Sequence, residues 1–162
     1  MMNENDYEIM APAGSYESLM AAIQGGADSI YFGIEGLNMR SRSSNNFTID
    51  DLHNIAQICR DNKIKSYLTV NTIIYNNDMQ LMHKIVDAEA NLSAIIAADV
   101  AVLMYARSIG VEVHLSTQLN ITNTESLKFY AQFADVVVLA RELNLDQVKA
   151  IHDDIVKQHI KG

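Results

Sequence analysis

Three features of the 162-residue sequence predict an α/β chain built as a (β/α)8-type barrel. Strand-like runs alternate with helix-like runs about six times, the residues just past nearly every strand are polar, and the strands themselves alternate polar with apolar side chains. Alternation of this kind implies a parallel sheet covered by helices. Right-handed crossovers then leave two architectures, a barrel or an open doubly wound sheet. A doubly wound sheet gathers its ligand contacts at one switch point, whereas a barrel draws its site from the C-terminal ends of many strands. Here the polar groups follow many strands, so the barrel is the expectation and the open doubly wound sheet its alternative. A whole barrel takes about 250 residues. Residues 1–162 therefore read as one α/β domain, the N-terminal part of a barrel without strands seven and eight.

Each element has a local reason. The first strand is expected over Tyr7–Ala11. Its helix opens at Ser15, carries Leu19, Met20, Ala22 and Ile23 on one face, and stops at Gly25-Gly26. Ser29–Phe32 is the second strand. After a long polar loop, Thr48 with Asp51 three residues on has capping-box spacing, ahead of the apolar stripe Leu52, Ile55 and Cys59. The third strand is Ser66–Val70, with Leu68 and Val70 expected to face helices and Thr69 and Asn71 the other way. A helix from Asn77 to about Ala90, a strand over Ser93–Ala97 and a helix over Val100–Ile109 follow, the last stopped by Gly110. The fifth strand is Val111–Leu115, with His114 turned away from the helices. Thr122 to Glu125 reads as a capping box for the fifth helix. A sixth strand is expected over Asp135–Ala140, and Asn144 caps a last helix bearing Val148, Ile151 and Ile155.

Composition narrows the function. The formal net charge of −8 speaks against a general nucleic-acid coat, which needs a basic surface. The single cysteine, Cys59, excludes a disulfide framework and any all-cysteine metal site made by this chain alone. No apolar run approaches the ~20 residues of a membrane helix, and the acidic N-terminus lacks a signal-peptide pattern. A cytoplasmic location and no membrane partner are the expectations.

The residues that carry chemistry cluster past the strands. Arg141-Glu142 follows an apolar run directly. The guanidinium offers a rigid fork for a carboxylate or phosphate, with Glu142 orienting it; the plainer reading is a rim ion pair. Arg40 and Arg42 lie in the long second loop, as an anion patch or as solvated charges. Gln118, Asn120 and Asn71 can each donate and accept hydrogen bonds, or serve turns. His114, Ser116 and Asp99 suggest a nucleophilic triad, but His114 and Ser116 lie two apart on one strand and project side by side. No His-x-His or His-Glu-x-x-His spacing supports a metal site. Ala13-Gly14-Ser15 opens a helix without the pattern of a nucleotide loop. Tyr31, Tyr67 and Met39 read as core first and pocket second.

Taken in order, several segments resemble the peptidase U32 family, the collagenase-like proteases. They are Met10-Ala-Pro-Ala-Gly-Ser15, Gly26-Ala-Asp-Ser-Ile-Tyr-Phe-Gly33, Asn38-Met-Arg40 with Asn46-Phe-Thr48, Thr69-Val-Asn71-Thr72, Ser116-Thr-Gln-Leu-Asn120-Ile-Thr-Asn123 and Leu139-Ala-Arg-Glu-Leu143. The resemblance runs from Glu8 to about Ile151. It implies the N-terminal barrel portion of a bacterial enzyme. Some relatives bear a peptidase label, others hydroxylate a pyrimidine in transfer or ribosomal RNA, and others act in oxygen-independent quinone hydroxylation. It also marks Arg40, Asn71, Gln118, Asn120, Arg141 and Glu142 as substrate-binding positions. Several relatives hold an iron–sulfur cluster on cysteines that begin just after strand seven, beyond Gly162. No cofactor is therefore expected in this chain, and catalytic residues are not assigned. The expected partners are a small carboxylate, peptide or RNA substrate, and a second copy meeting the exposed barrel edges. A non-catalytic binding module supplying half a pocket is the remaining alternative.

Overall fold

The computed structural model describes residues 7–37, 47–88 and 92–161. Among these, five parallel strands pair in the order in which they occur: β1 (Met10–Pro12), β2 (Ser29–Gly33), β3 (Lys65–Val70), β4 (Ala94–Ala97) and β5 (Val113–Leu115). Sequential order excludes the doubly wound alternative, in which a later strand returns to the far side of the first. The sheet is barrel-like and not closed, since β1 has only β2 as its neighbour among the described residues.

Helices α1 (Tyr16–Gln24), α2 (Asp51–Asp61), α3 (Met79–Asp87) and α4 (Val100–Ser108) each follow a strand, and α5 (Thr124–Tyr130) and α6 (Leu145–Gln158) complete the chain. Right-handed crossovers between neighbouring strands place the helices on one face. Burial agrees. Ile30, Leu68, Val70, Ile95, Val113 and Leu115 are fully buried with Leu19, Ile55, Ile85 and Leu103 of the helices, whereas Tyr31, Thr69 and Ile96 of the opposite face are half-buried. Each such aliphatic side chain contributes about 1.5–3 kcal/mol when fully buried.

Caps set the helix starts. Ser15 accepts from the Ser18 amide, and the Ser18 hydroxyl accepts in return from the Ser15 amide at 2.9 Å. Asn144 and Gln147 form the same reciprocal box at the head of α6. Gly110, at φ +78°, ends α4 in a conformation that a side chain would disfavour.

Several boundaries differ from expectation, among them the fifth strand, which starts at Val113 and not Val111. The first strand begins at Met10, after Glu8 and Ile9 have turned to Lys65 and Asp28. Asn123, and not Thr122, caps α5, accepting from the Ser126 amide at 2.9 Å; Glu125 instead pairs with Lys128. Before α2, Thr48 does not cap with its own side chain: its amide and hydroxyl both donate to the Asp51 carboxylate at 2.7 and 2.8 Å. The third helix starts later than Asn77, because Asn76–Asp78 form a 3-10 turn ahead of Met79, and it closes at Asp87 with Ala88 as its cap; the expected end at Ala90 lies outside the described residues.

The largest difference is the sixth strand. Residues 135–140 run parallel to the sheet but touch it through two isolated bridges, His114 with Val136 and Ile121 with Leu139. Their partner segment explains this. After Leu115 the chain winds into a one-turn 3-10 helix, Thr117–Leu119, and Asn120 takes a left-handed conformation at φ 49°. The ladder is therefore lost between the bridges and resumes only where the Ala140 amide donates to the Ile121 carbonyl at 2.9 Å.

Candidate functional site

The C-terminal ends of the strands form the mouth. At β2 the chain continues to Leu37 and returns at Phe47, which bridges Ile34 and is fastened where the Glu35 amide donates to the Phe47 carbonyl at 2.8 Å. Phe47 sits edge-on to Phe32 and Tyr16, so both stems of the second loop are anchored at the end of β2. Arg40, Arg42 and Met39 fall between the stems, outside the described residues.

Asn71 follows β3 directly and is half-buried. Gln118 and Asn120 leave the turn after β5, both exposed, and Arg141 and Glu142 leave the segment 135–140, both exposed. In the parallel register of the Ile121–Leu139 bridge, Asn120 lies one residue before the pairing and Arg141 two residues past it, three positions apart along the strand direction. Asn71 stands two strands away, about 10 Å across the sheet. The side chains of Gln118, Asn120, Arg141 and Glu142 make no hydrogen bond or ion pair with another described residue, so the expected Arg141–Glu142 pair is not formed. The Arg141 guanidinium, exposed and without a carboxylate partner among the described residues, is open to an anion.

Other mouth residues are structural. Asp99 caps α4, its Oδ1 accepting from the Ala101 amide at 2.8 Å, while its Oδ2 accepts from the Ile74 amide at 3.1 Å. One carboxylate thus ties the loop after β3 to the helix after β4. The Ser18 hydroxyl accepts from the Gly14 and Ser15 amides at 2.9 Å each, so these amides are engaged within the cap. The Ser116 hydroxyl accepts from the Gln118 amide, and His114 directs Nε2 to Glu112 at 2.9 Å. His114, Ser116 and Asp99 therefore form no triad. Among the described residues no group of three His, Cys, Asp or Glu side chains is placed to hold a metal ion.

A second polar group lies at the opposite end of the strands, and the sequence analysis did not identify it. The Tyr67 hydroxyl donates to Glu8 Oε1 at 2.7 Å, and Lys65 Nζ meets Glu8 Oε2 at 2.6 Å. The Tyr67 ring lies 4.7 Å from that of His114. Burial, followed by the Glu8 hydrogen bond, raises the Tyr67 pKa. Burial pushes Glu8 upward, but its bonds from Lys65 and Tyr67 outweigh this and hold the carboxyl below its usual value. The one available signal was the inward phase of Tyr67 and His114 on their strands.

An iron–sulfur cluster does not fit these residues. Cys59 is the only cysteine, it is packed inside α2, and burial pushes its thiol up to about 11, away from the thiolate a metal needs.

Sheet and crossovers define an α/β chain of the barrel class with polar residues at the strand ends. The model of peptidase family U32 matches residues 14–160, and the chain belongs to that family. It is 69% identical over 163 residues to a collagenase of Porphyromonas gingivalis (strain ATCC BAA-308 / W83), covering 99% of this chain and 39% of that protein. It is 32% identical over 153 residues to tRNA hydroxylation protein P1 of Bacillus subtilis (strain 168), covering 91% of this chain and 36% of that one. The chain thus spans under two-fifths of the length of either relative. Among solved structures, the U32 peptidase Mk0906 superposes with a TM-score of 0.73 at 14% identity, over 94% of this chain and 68% of its own, which supports the fold.

Proposed function

We propose that this chain supplies the substrate-binding mouth of a U32 enzyme acting on peptide chains. The observation that carries the reading is Arg141: an exposed residue just past the segment 135–140, with no side-chain partner among the described residues. In a protein of net charge −8, an arginine held there is matched to a carboxylate of the substrate. Asn71, Gln118 and Asn120 then meet backbone amides of the substrate, Glu142 orients the guanidinium once substrate is bound, and Arg40, outside the described residues, is assigned as a second cation for the same anion. The 69% identity to the Porphyromonas gingivalis collagenase supports a peptide as that substrate. The described residues bring no nucleophile to a base, so the catalytic groups are assigned to parts of the protein outside them. Any iron–sulfur cluster is likewise held elsewhere. No described helix is long and apolar enough to cross a membrane, and we assign the protein to the cytoplasm.

A second reading, hydroxylation of a pyrimidine in transfer RNA, is supported by the 32% identity to the Bacillus subtilis protein. The same arginine then holds a phosphate. A third, a binding module without chemistry, keeps the mouth and removes the turnover. The test is the full-length protein and its Arg141→Ala variant, incubated with a carboxylate-ended peptide and with unmodified transfer RNA. Peptide cleavage that weakens in the variant supports the first reading. Hydroxylated RNA without peptide cleavage replaces it with the second, and substrate binding without turnover leaves the third.

A further inference from the structure

Asn71, the substrate contact assigned to the end of β3, sits in a short span fixed at both ends. Behind it, Val70 is fully buried and paired with Ala97 of β4. Ahead of it, the chain is fixed again at Ile74, whose side chain packs against the core and whose amide donates to Asp99 Oδ2 at 3.1 Å. Only Asn71, Thr72 and Ile73 lie between these two anchors. Asn71 itself is half-buried. Continuing the alternation of β3, it falls on the face of Tyr67 and Thr69 and not on that of Leu68 and Val70.

The far anchor comes from the neighbouring βα unit. β3 and β4 are adjacent parallel strands, so the chains leaving them emerge side by side, about 4.8 Å apart. Asp99 follows β4 by two residues, is half-buried, and turns one carboxylate oxygen to each unit. Oδ1 accepts from the Ala101 amide at 2.8 Å and opens α4, while Oδ2 crosses to Ile74.

These two bonds ask more of the residue than a helix cap does. Asp, Asn and Ser cap helices about equally well. Two amides from different units need two acceptor oxygens on one short side chain, and only Asp has them. Asn has a single acceptor oxygen, and its NH2 group would face an N–H donor at the second amide. Ser has one hydroxyl. The cap alone leaves the choice of residue open; the bond to Ile74 closes it.

We propose that Asp99 is a positioning residue for substrate binding, acting through Ile74 on Asn71. This rests on the peptide reading of the mouth and on Asn71 as one of its contacts. Asp99 has both oxygens engaged within the protein and does not touch the peptide. Loss of the bond to Ile74 releases one end of the span that carries Asn71, and a misplacement of about 1 Å in a binding group can cost up to ~100-fold. The loss falls on binding, because the span carries no group assigned to bond-making.

The test uses the full-length protein and a quenched-fluorescence peptide with a free C-terminal carboxylate. Four proteins are compared: the parent, Asn71→Ala, Asp99→Asn, and the two replacements together. Asp99→Asn keeps an acceptor for the α4 cap and removes the one for Ile74. It is expected to raise KM about tenfold, equivalent to ~1.4 kcal/mol, with kcat within about twofold. Asp99→Ser, which keeps a cap of different shape, is expected to follow it. Asn71→Ala is expected to raise KM to a similar degree. The double variant is expected to be no worse than Asn71→Ala within about twofold, because a residue that acts through Asn71 has nothing left to position once that side chain is gone. A general structural role would instead multiply the two effects.

A double variant with KM raised about a hundredfold therefore overturns the proposal, as does an unchanged KM in Asp99→Asn beside a raised KM in Asn71→Ala. Both results leave the peptide reading standing. An unchanged KM in Asn71→Ala removes Asn71 from the site and the proposal with it. A parent protein that neither binds nor cleaves the peptide overturns the peptide reading and this inference together.

Discussion

The two ends of the strands treat polar side chains in opposite ways. At the N-terminal end, Lys65, Glu8 and Tyr67 satisfy one another at 2.6 and 2.7 Å, and His114 is held by Glu112 at 2.9 Å. At the C-terminal end, Gln118, Arg141 and Glu142 are exposed without side-chain partners among the described residues. A polar group already bonded within the protein stabilises the fold and has little left for a ligand. One displayed by rigid elements contributes little to stability and keeps its bonding capacity. This division is the one expected of a barrel, where the top face serves function and the bottom face stability.

Asp99 is the exception at the mouth and gives the largest expected effect. Asp99→Ala removes the cap of α4 and the tie to Ile74 together, and should cost about 2–3 kcal/mol. Chemical denaturation would measure it; a loss below half a unit would mean the two ends do not differ as described. Arg141→Ala should act the other way. Melting should stay unchanged, while affinity for a carboxylate-ended peptide should fall by about 1.5–3 kcal/mol, the scale of a charge-assisted hydrogen bond. Titration calorimetry with equal affinities for variant and parent would remove Arg141 from the site.

Tyr67→Phe tests the opposite end. It deletes the hydroxyl that donates to Glu8 and should cost about 1–2 kcal/mol of stability while leaving ligand affinity untouched. A large affinity change with no stability loss would reverse the assignment. The smallest effect is in acid. Glu8 has its folded-state pKa below the ordinary value of 4.5, so its contribution is present above that value and is lost as pH falls through the depressed folded value. Urea midpoints followed below pH 4.5 should fall less steeply in Glu8→Gln than in the parent. Identical slopes would show that Glu8 does not carry this acid dependence.

Much of the fold was legible because its signals are local. Ser15 and Asn144 act on residues three positions on, Gly110 on its own helix, and the alternation Leu68, Thr69, Val70 within one strand. The mouth positions were legible as places, since polar residues following strands are visible in the chain. Their roles were not. Asp99 looks like a catalytic carboxylate until Ile74, 25 residues away, is found bonded to it. Tyr67 looks like core until its hydroxyl meets Glu8, 59 residues away.

The sequence by itself determined the alternation of elements, the parallel sense of the sheet and the likeness to the family, while the sequential strand order was settled only by the pairing. Periodicity, capping and short motifs act over a few residues and survive without a fold. The tertiary structure alone decided that residues 135–140 are no continuous strand and that Glu8, Lys65 and Tyr67 close on one another. Each of these depends on register between strands or on which backbone amides find a partner. Such outcomes are set by the packing of distant segments, because a hydrogen bond or a buried contact forms only where the sheet brings both partners within about 3–4 Å.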